Sequence, residues 1–179
     1  MPNDRIIEVH SSAEIAARVK ALADDISRVF VERELTLLCD LEDGFVFFSD
    51  LIRGLDLPLR TAFIRSSSRS VGGVMDIFYS AQMDVRRRDI LLVEAIMETG
   101  VTQDYIIRHL AGHGAASVQI CALVDKPEQR RVQLQPRWSA FVETETDYVF
   151  GYGLGFQDRW RQLPYLATFE RRDGVAVKP

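Results

Sequence analysis

At 179 residues the chain is long enough for one domain that buries about two-thirds of its unfolded surface, so a single domain over 1–179 is expected. Its 47% hydrophobic and 27% charged residues exclude a disordered, collagenous or disulfide-scaffold chain. Twenty-two Lys and Arg against 26 Asp and Glu give a formal charge of -4, which provides no basic field to attract DNA, so any bound phosphate must be held locally.

The stretch from Met1 to Glu8 has no apolar core of signal-peptide length, and no later stretch approaches the roughly 20 apolar residues that cross a bilayer; a cytoplasmic protein without membrane contact is expected. Ser12 precedes Ile15, Val19, Leu22, Ile26, Val29 and Phe30, spaced by three or four as one helix face requires, which predicts a helix over 12–31. Leu35 to Cys39 reads as a buried strand and the polar run Asp40 to Gly44 as its turn. Phe45 to Arg53 is predicted helical, stopped by Gly54 ahead of Pro58.

Thr61 to Arg65 fits a second strand, Ser66 to Gly73 has the composition of a mobile loop, and Met75 to Tyr79 is the expected hairpin partner beyond it. The strongest β signal is Ile90 to Val93, an apolar run suited to a central strand buried on both faces. A loop from Glu94 to Thr102, a helix to about Leu110, a Gly-rich break and a strand from Val118 to Val124 complete a βαβ unit. Such units build a mostly parallel sheet flanked by helices, an α/β fold whose ligands sit at the carboxyl ends of the strands. Cys39 and Cys121 lie in apolar runs and read as buried, reduced thiols rather than a disulfide or a metal site.

Thr99, Gly100, Val101 and Thr102 stand between the central strand and the following helix, where backbone N–H groups and two hydroxyls can converge on an anion at the helix N-terminus. Alone, Thr-Gly-x-Thr equally describes a capped helix start with a glycine turn. The longer run from Ile90 to Thr102 combines four apolar residues, two acidic positions and that loop. It resembles the phosphoribosyl-diphosphate motif of the hypoxanthine-guanine phosphoribosyltransferases. Leu123 to Glu128 resembles the purine-recognition strand of that family, and Asp147 to Leu154, continuing through Arg161 to Tyr165, its base-stacking and metal segment. Weaker similarity reaches back to Ile15, so the resemblance covers most of the chain to Phe169.

The resemblance implies a type I phosphoribosyltransferase fold with a small hood region, transfer of ribose 5-phosphate to a purine nitrogen, magnesium as cofactor, and a homo-oligomer. It also implies roles for individual residues. Glu98 to Thr102 would hold the 5-phosphate, with Glu98 as the general base. Lys126 would donate to the exocyclic oxygen of the purine, Tyr148 would stack on the base, and Val149 would offer it backbone contacts. Arg161 would face pyrophosphate and Glu94 would approach the ribose hydroxyls.

Several positions depart from the family pattern. Ala95 stands where a second carboxylate is usual, Glu98 where aspartate is usual, and Gly155 where an aspartate meets magnesium, which leaves the metal ligands unassigned. Glu42 and Asp43 make acidic a pyrophosphate loop that is ordinarily basic or neutral, and Arg69 follows Ser67 and Ser68 where a lid tyrosine is usual. These departures set an active salvage enzyme, with purine and phosphoribosyl diphosphate as partners, against a non-catalytic purine-nucleotide-binding regulator. A third reading makes Arg86 to Arg88 and Arg130 to Arg131 an RNA face. The negative charge and the lack of interleaved aromatics favour solvated loop charge instead, and nucleic acid is not an expected partner. His109 and His113 are four apart, but Gly112 and Gly114 are expected to interrupt the helix that would align them for zinc.

Overall fold

The computed structural model describes residues 5–66, 77–79, 84–144 and 147–170. In chain order these form β1 (Ile6–His10), α1 (Ser12–Val29), β2 (Leu35–Asp40), α2 (Leu41–Gly54), β3 (Leu59–Ser66), β4 (Ile77–Tyr79), β5 (Asp89–Met97), α3 (Val101–Gly112), β6 (Ser117–Asp125), a short 3-10 turn (Pro127–Gln129), β7 (Trp138–Val142) and β8 (Leu166–Phe169). The main sheet has the order β4-β3-β2-β5-β6-β7. All its neighbours are parallel except β3 and β4, whose antiparallel register pairs Ile64 with Tyr79. A separate two-stranded antiparallel sheet, β1 with β8, forms the hood.

The period-2 alternation of the strands sorts the core into two layers. Leu35, Leu37, Cys39, Leu91, Val93, Cys121 and Leu123 pack with Ile15, Ile26, Phe47 and Leu51 of α1 and α2. Leu38, Ile90, Leu92, Ile120 and Ala122 point the other way, onto Ile106 and Leu110 of α3. The mostly parallel, helix-flanked α/β sheet with a hood is therefore the architecture observed. A capping box closes the start of α1: the Glu14 N–H donates to Ser11 Oγ, and the Ser11 N–H donates to Glu14 Oε2 at 2.8 Å. Across the opposite edge, Arg18 Nε donates to the Ala140 carbonyl at 2.7 Å and Trp138 Nε1 to Asp25 Oδ2 at 2.7 Å, so α1 is clamped to β7.

Two boundaries correct the sequence expectations. The run from Asp40 to Gly44 is no turn, because α2 begins at Leu41 directly after β2. Glu42 and Asp43 then lie in its first turn, where negative charge complements the exposed N–H dipoles. The stretch from Glu94 is no loop either: β5 runs on to Met97, with Glu94 opposite Ala122, Ile96 opposite Val124 and Met97 opposite Asp125. Strands β1, β7 and β8 have no counterpart in the sequence expectations. The Ser66 to Gly73 loop expected from composition, the lid positions Ser67 to Arg69 and the start of the predicted Met75 hairpin arm lie outside the described residues, apart from Ser66 at the end of β3.

Leu37, fully buried on the α1/α2 face of the second central strand, tests this layering. Leu37→Ala is expected to lower unfolding free energy by about 2–5 kcal/mol in a urea titration, with an unchanged m-value.

Candidate active site at the carboxyl ends of the strands

The carboxyl ends of β2, β5 and β6 deliver Asp40, Glu98 and Lys126 to one edge of the sheet. Lys126 is the most constrained of them. It is 1% exposed, its N–H donates to the Met97 carbonyl at 2.9 Å, and its Nζ donates to the Asp147 carbonyl at 2.6 Å. Glu98 Oε1 lies 3.6 Å from the same Nζ. An ammonium in that position is paired rather than orphaned, which is the condition for burying it.

Thr99 to Thr102 form the link into α3. Gly100 is the N-cap and takes φ +76, a conformation natural to glycine, and a Cβ there would come within 2.9 Å of Val132 Cγ2 and 3.0 Å of Arg130 Cδ. Asp104 N–H donates to the Gly100 carbonyl at 2.9 Å, and Val101 N–H reaches Thr99 Oγ1 at 3.4 Å. No side chain caps the helix, so the N–H groups of Thr102 and Gln103 remain for an incoming anion. Arg131 N–H donates to the Thr99 carbonyl at 2.9 Å, which fastens the loop to the segment after β6.

Arg130 is a residue the sequence reading misplaced, having been assigned to solvated loop charge. Its side chain is 11% exposed, pairs with the Asp125 carboxylate, and packs under Gly100, while Nε and Nη1 are buried without a partner among the described residues. A low-dielectric cation beneath the loop raises its preference for anions. No local sequence pattern marks Arg130, because its pairing with Asp125 depends on the turn after β6. The other arginine cluster is tied to carboxylates at the surface, Arg86 to Asp84 and Arg88 to Glu34. Nor does Gly112 cut α3 short: the helix runs through Gly112 to its C-cap, His113, whose ring lies tilted against that of His109 with centroids 4.3 Å apart.

Tyr148 and Arg161 close the site from the hood side. Tyr148 Oη donates to the Gly155 carbonyl at 2.8 Å, and its ring meets Phe156 edge-on at 5.2 Å. Burial, followed by the negative charges of Asp43 and Glu98, raises the Tyr148 hydroxyl above its ordinary pKa, which places those carboxylates around it. Val149 is 5% exposed, and its own N–H and carbonyl make no hydrogen bond among the described residues. Arg161 Nη1 donates to the carbonyls of Gly153 at 2.9 Å and Glu42 at 3.0 Å and pairs with the Asp43 carboxylate. The acidic pair at 42 and 43 is thus partly neutralised from within.

The donor set does not fit a magnesium ion held by the protein. Ala95 and Gly155 offer no ligand, the Arg161 guanidinium lies over Gly155, and no grouping of three or more His, Cys, Asp or Glu able to hold a metal exists among the described residues. Glu94 is 8% exposed on the α3 side of the sheet, and its Oε1 is buried without a hydrogen-bond partner. Burial pushes its carboxyl up from 4.5 to about 8; the neighbouring Gln103 opposes the rise and the charge of Asp40 adds to it. A neutral acid is a poor ligand for a hard cation.

That shift has a consequence for stability. The folded Glu94 holds its proton more tightly than the unfolded one, so the native state loses stability as pH rises through the window from 4.5 to about 8. Glu94→Gln, which is permanently neutral, is expected to remove that slope. Its urea midpoint should gain on the native chain between about pH 5 and about pH 8.5, whereas parallel curves would show an ionised Glu94.

The chain matches the family described as "Phosphoribosyl transferase domain" across residues 7–159. A hypoxanthine-guanine phosphoribosyltransferase of Lactococcus lactis is 32% identical over 173 residues, covering 93% of this chain and 93% of that protein. One from Mycobacterium avium is 29% identical over 96% of this chain and 89% of its own length. A crystal structure of a hypoxanthine-guanine phosphoribosyltransferase from Bacillus anthracis superposes with a TM-score of 0.86 at 28% identity, covering 94% of this chain and 100% of that one. With a type I phosphoribosyltransferase sheet, a Thr-Gly-Val-Thr loop after β5 and a buried lysine after β6, the chain belongs to the phosphoribosyltransferase family, within its hypoxanthine-guanine branch.

Proposed function

We propose that the protein transfers the phosphoribosyl group of phosphoribosyl diphosphate to hypoxanthine or guanine, at a rate reduced by its altered site. The observation that carries this reading is the buried Lys126 ammonium, set between the Asp147 carbonyl and the Glu98 carboxylate. Lysine can only donate, so it selects a purine whose exocyclic group is a carbonyl oxygen over one bearing an amino group. The unpaired N–H and carbonyl of Val149 and the ring of Tyr148 supply the remaining edge and a stacking surface.

In the reaction the purine nitrogen forms a bond to C1 of the sugar while the C1–oxygen bond breaks, and pyrophosphate leaves with the electron pair. The proton on that nitrogen passes to the Glu98 carboxylate. The Thr99 to Thr102 loop, with Arg130 beneath it, holds the 5-phosphate and fixes the sugar against the base. Glu98 carries its carboxylate one methylene further from the backbone than aspartate would, and a misplacement of about 1 Å costs roughly 100-fold in rate. Magnesium, general to this family, would arrive with the diphosphate and offset its charge, since the residues around Gly155 do not hold it. A homo-oligomer in the cytoplasm completes the reading; the free, buried Cys39 and Cys121 suit a reducing compartment, and no helix among the described residues is long and apolar enough to cross a membrane.

A second reading, a purine-nucleotide-binding regulator without turnover, draws on Ala95, Gly155 and the Arg161–Asp43 pair. A transfer assay with phosphoribosyl diphosphate, magnesium and hypoxanthine or guanine decides between them. Nucleotide product is expected, lost in Lys126→Ala and lowered in kcat by roughly 10²–10⁴-fold in Glu98→Gln. Nucleoside monophosphate binding without product would establish the regulator instead.

A further inference from the structure

The C-terminal end of α3 carries a histidine pair that the transfer reading does not use. His109 and His113 stand one helical turn apart. The ring of His113, exposed at the C-cap, lies tilted at 37° against that of the half-buried His109, with centroids 4.3 Å apart.

His113 Nδ1 lies 2.7 Å from the His109 carbonyl. A carbonyl only accepts, so Nδ1 carries the proton and donates, and the neutral ring keeps its lone pair on Nε2. The backbone N–H of His113 donates to the same carbonyl at 3.2 Å and to that of Leu110 at 3.1 Å, which fixes backbone and ring together. A ring held through one nitrogen by a carbonyl is the arrangement of a metal-ligating histidine, whose other nitrogen is thereby aimed and made more basic.

Three further features suit a cation. Imidazoles that share one ion at about 2.0–2.1 Å per bond, at a right angle or somewhat wider, have centroids roughly 4.5–5 Å apart, so the observed 4.3 Å needs only a small opening of the pair. The pair sits at the carbonyl end of α3, the negative pole of the helix dipole, which favours positive charge. Burial, followed by the charge of His113, lowers the pKa of His109, which keeps that ring in the neutral form that binds metal. Arg86, whose side chain packs beside Gly114, is an opposing charge, and it is itself held by Asp84.

We propose that His109 and His113 form a two-histidine site for a borderline-soft divalent transition cation such as Zn2+ or Cu2+, with His113 binding through Nε2. Among the described residues no third His, Cys, Asp or Glu joins them, so water or an outside ligand completes the coordination. The ion bridges the last turn of α3 and so binds only the helical chain. The inference is independent of the transfer reading, because the pair lies at the opposite end of α3 from the Thr99 to Thr102 loop.

Calorimetric titration of the untagged full chain with zinc chloride at neutral pH, in a buffer that does not bind metal, tests it. A single ion per chain is expected, with Cu2+ binding more tightly than Zn2+ and excess Mg2+ failing to compete. His109→Gln and His113→Gln should each weaken Zn2+ binding by roughly 100-fold, the loss of one arm of a chelate. His10→Gln, which removes the only other histidine of the chain, should leave the affinity unchanged. Urea midpoints identify any variant that fails to fold; if the half-buried His109→Gln does, His113→Gln decides, because that ring is exposed. No Zn2+ binding, unchanged affinity in a folded His109→Gln or His113→Gln, or a loss of affinity in a folded His10→Gln overturns the proposal.

Discussion

Burying the Lys126 ammonium at 1% exposure obliges the surrounding chain to supply acceptors, and they come from separate elements. The Asp147 carbonyl belongs to the segment leading into the hood and the Glu98 carboxylate to the link between β5 and α3, while the Met97 carbonyl at the end of β5 fixes the backbone N–H of the same residue. One charge therefore ties the carboxyl ends of the two central strands to the hood. The site is rigid at its centre because loosening any of these elements would strip a partner from a buried cation.

The same pairing recurs around the candidate site. Lys126 stands near Glu98, Arg130 is bound to Asp125, and Arg161 is bound to Asp43. An acidic protein of net charge -4 has no long-range field with which to gather phosphates, so its cations are local and stored against internal carboxylates. On the proposed function, phosphate binding would be an exchange of partners. The energetic outcome depends on geometry: a planar fork or a loop of backbone N–H groups holds a phosphate better than a single carboxylate matches it.

The legible parts of the fold were those in which local periodicity and burial agree. The three-and-four spacing from Ile15 to Phe30 is α1, and the apolar runs at Leu35, Ile90 and Val118 are β2, β5 and β6. Reading failed where charge and burial disagree. Glu94 read as the start of a loop, yet β5 carries it on opposite Ala122, where burial raises the pKa of its carboxyl and favours the neutral form. Glu42 and Asp43 looked like a turn, whereas in the first turn of α2 their charge meets the helix dipole and, in the case of Asp43, Arg161. Strands β1 and β8 were missed for a different reason: Ile6 pairs with Phe169, and neither short segment carries a signal without the other.

From residues alone, the order and spacing of the motifs between Ile90 and Tyr165 resembled one family, and that resemblance, rather than any local pattern, implied roles for Glu98, Lys126, Tyr148 and Arg161. The packing decided everything that depends on partners remote in sequence: that Lys126 is sealed, that Arg130 is a buried cation under Gly100, and that Arg161 rests on Gly155 and leans on Asp43. Charge, exposure and proton affinity are set by the whole surroundings of a group. A sequence states which groups exist, and only the folded chain brings 43, 155 and 161 into contact and determines what each can bind.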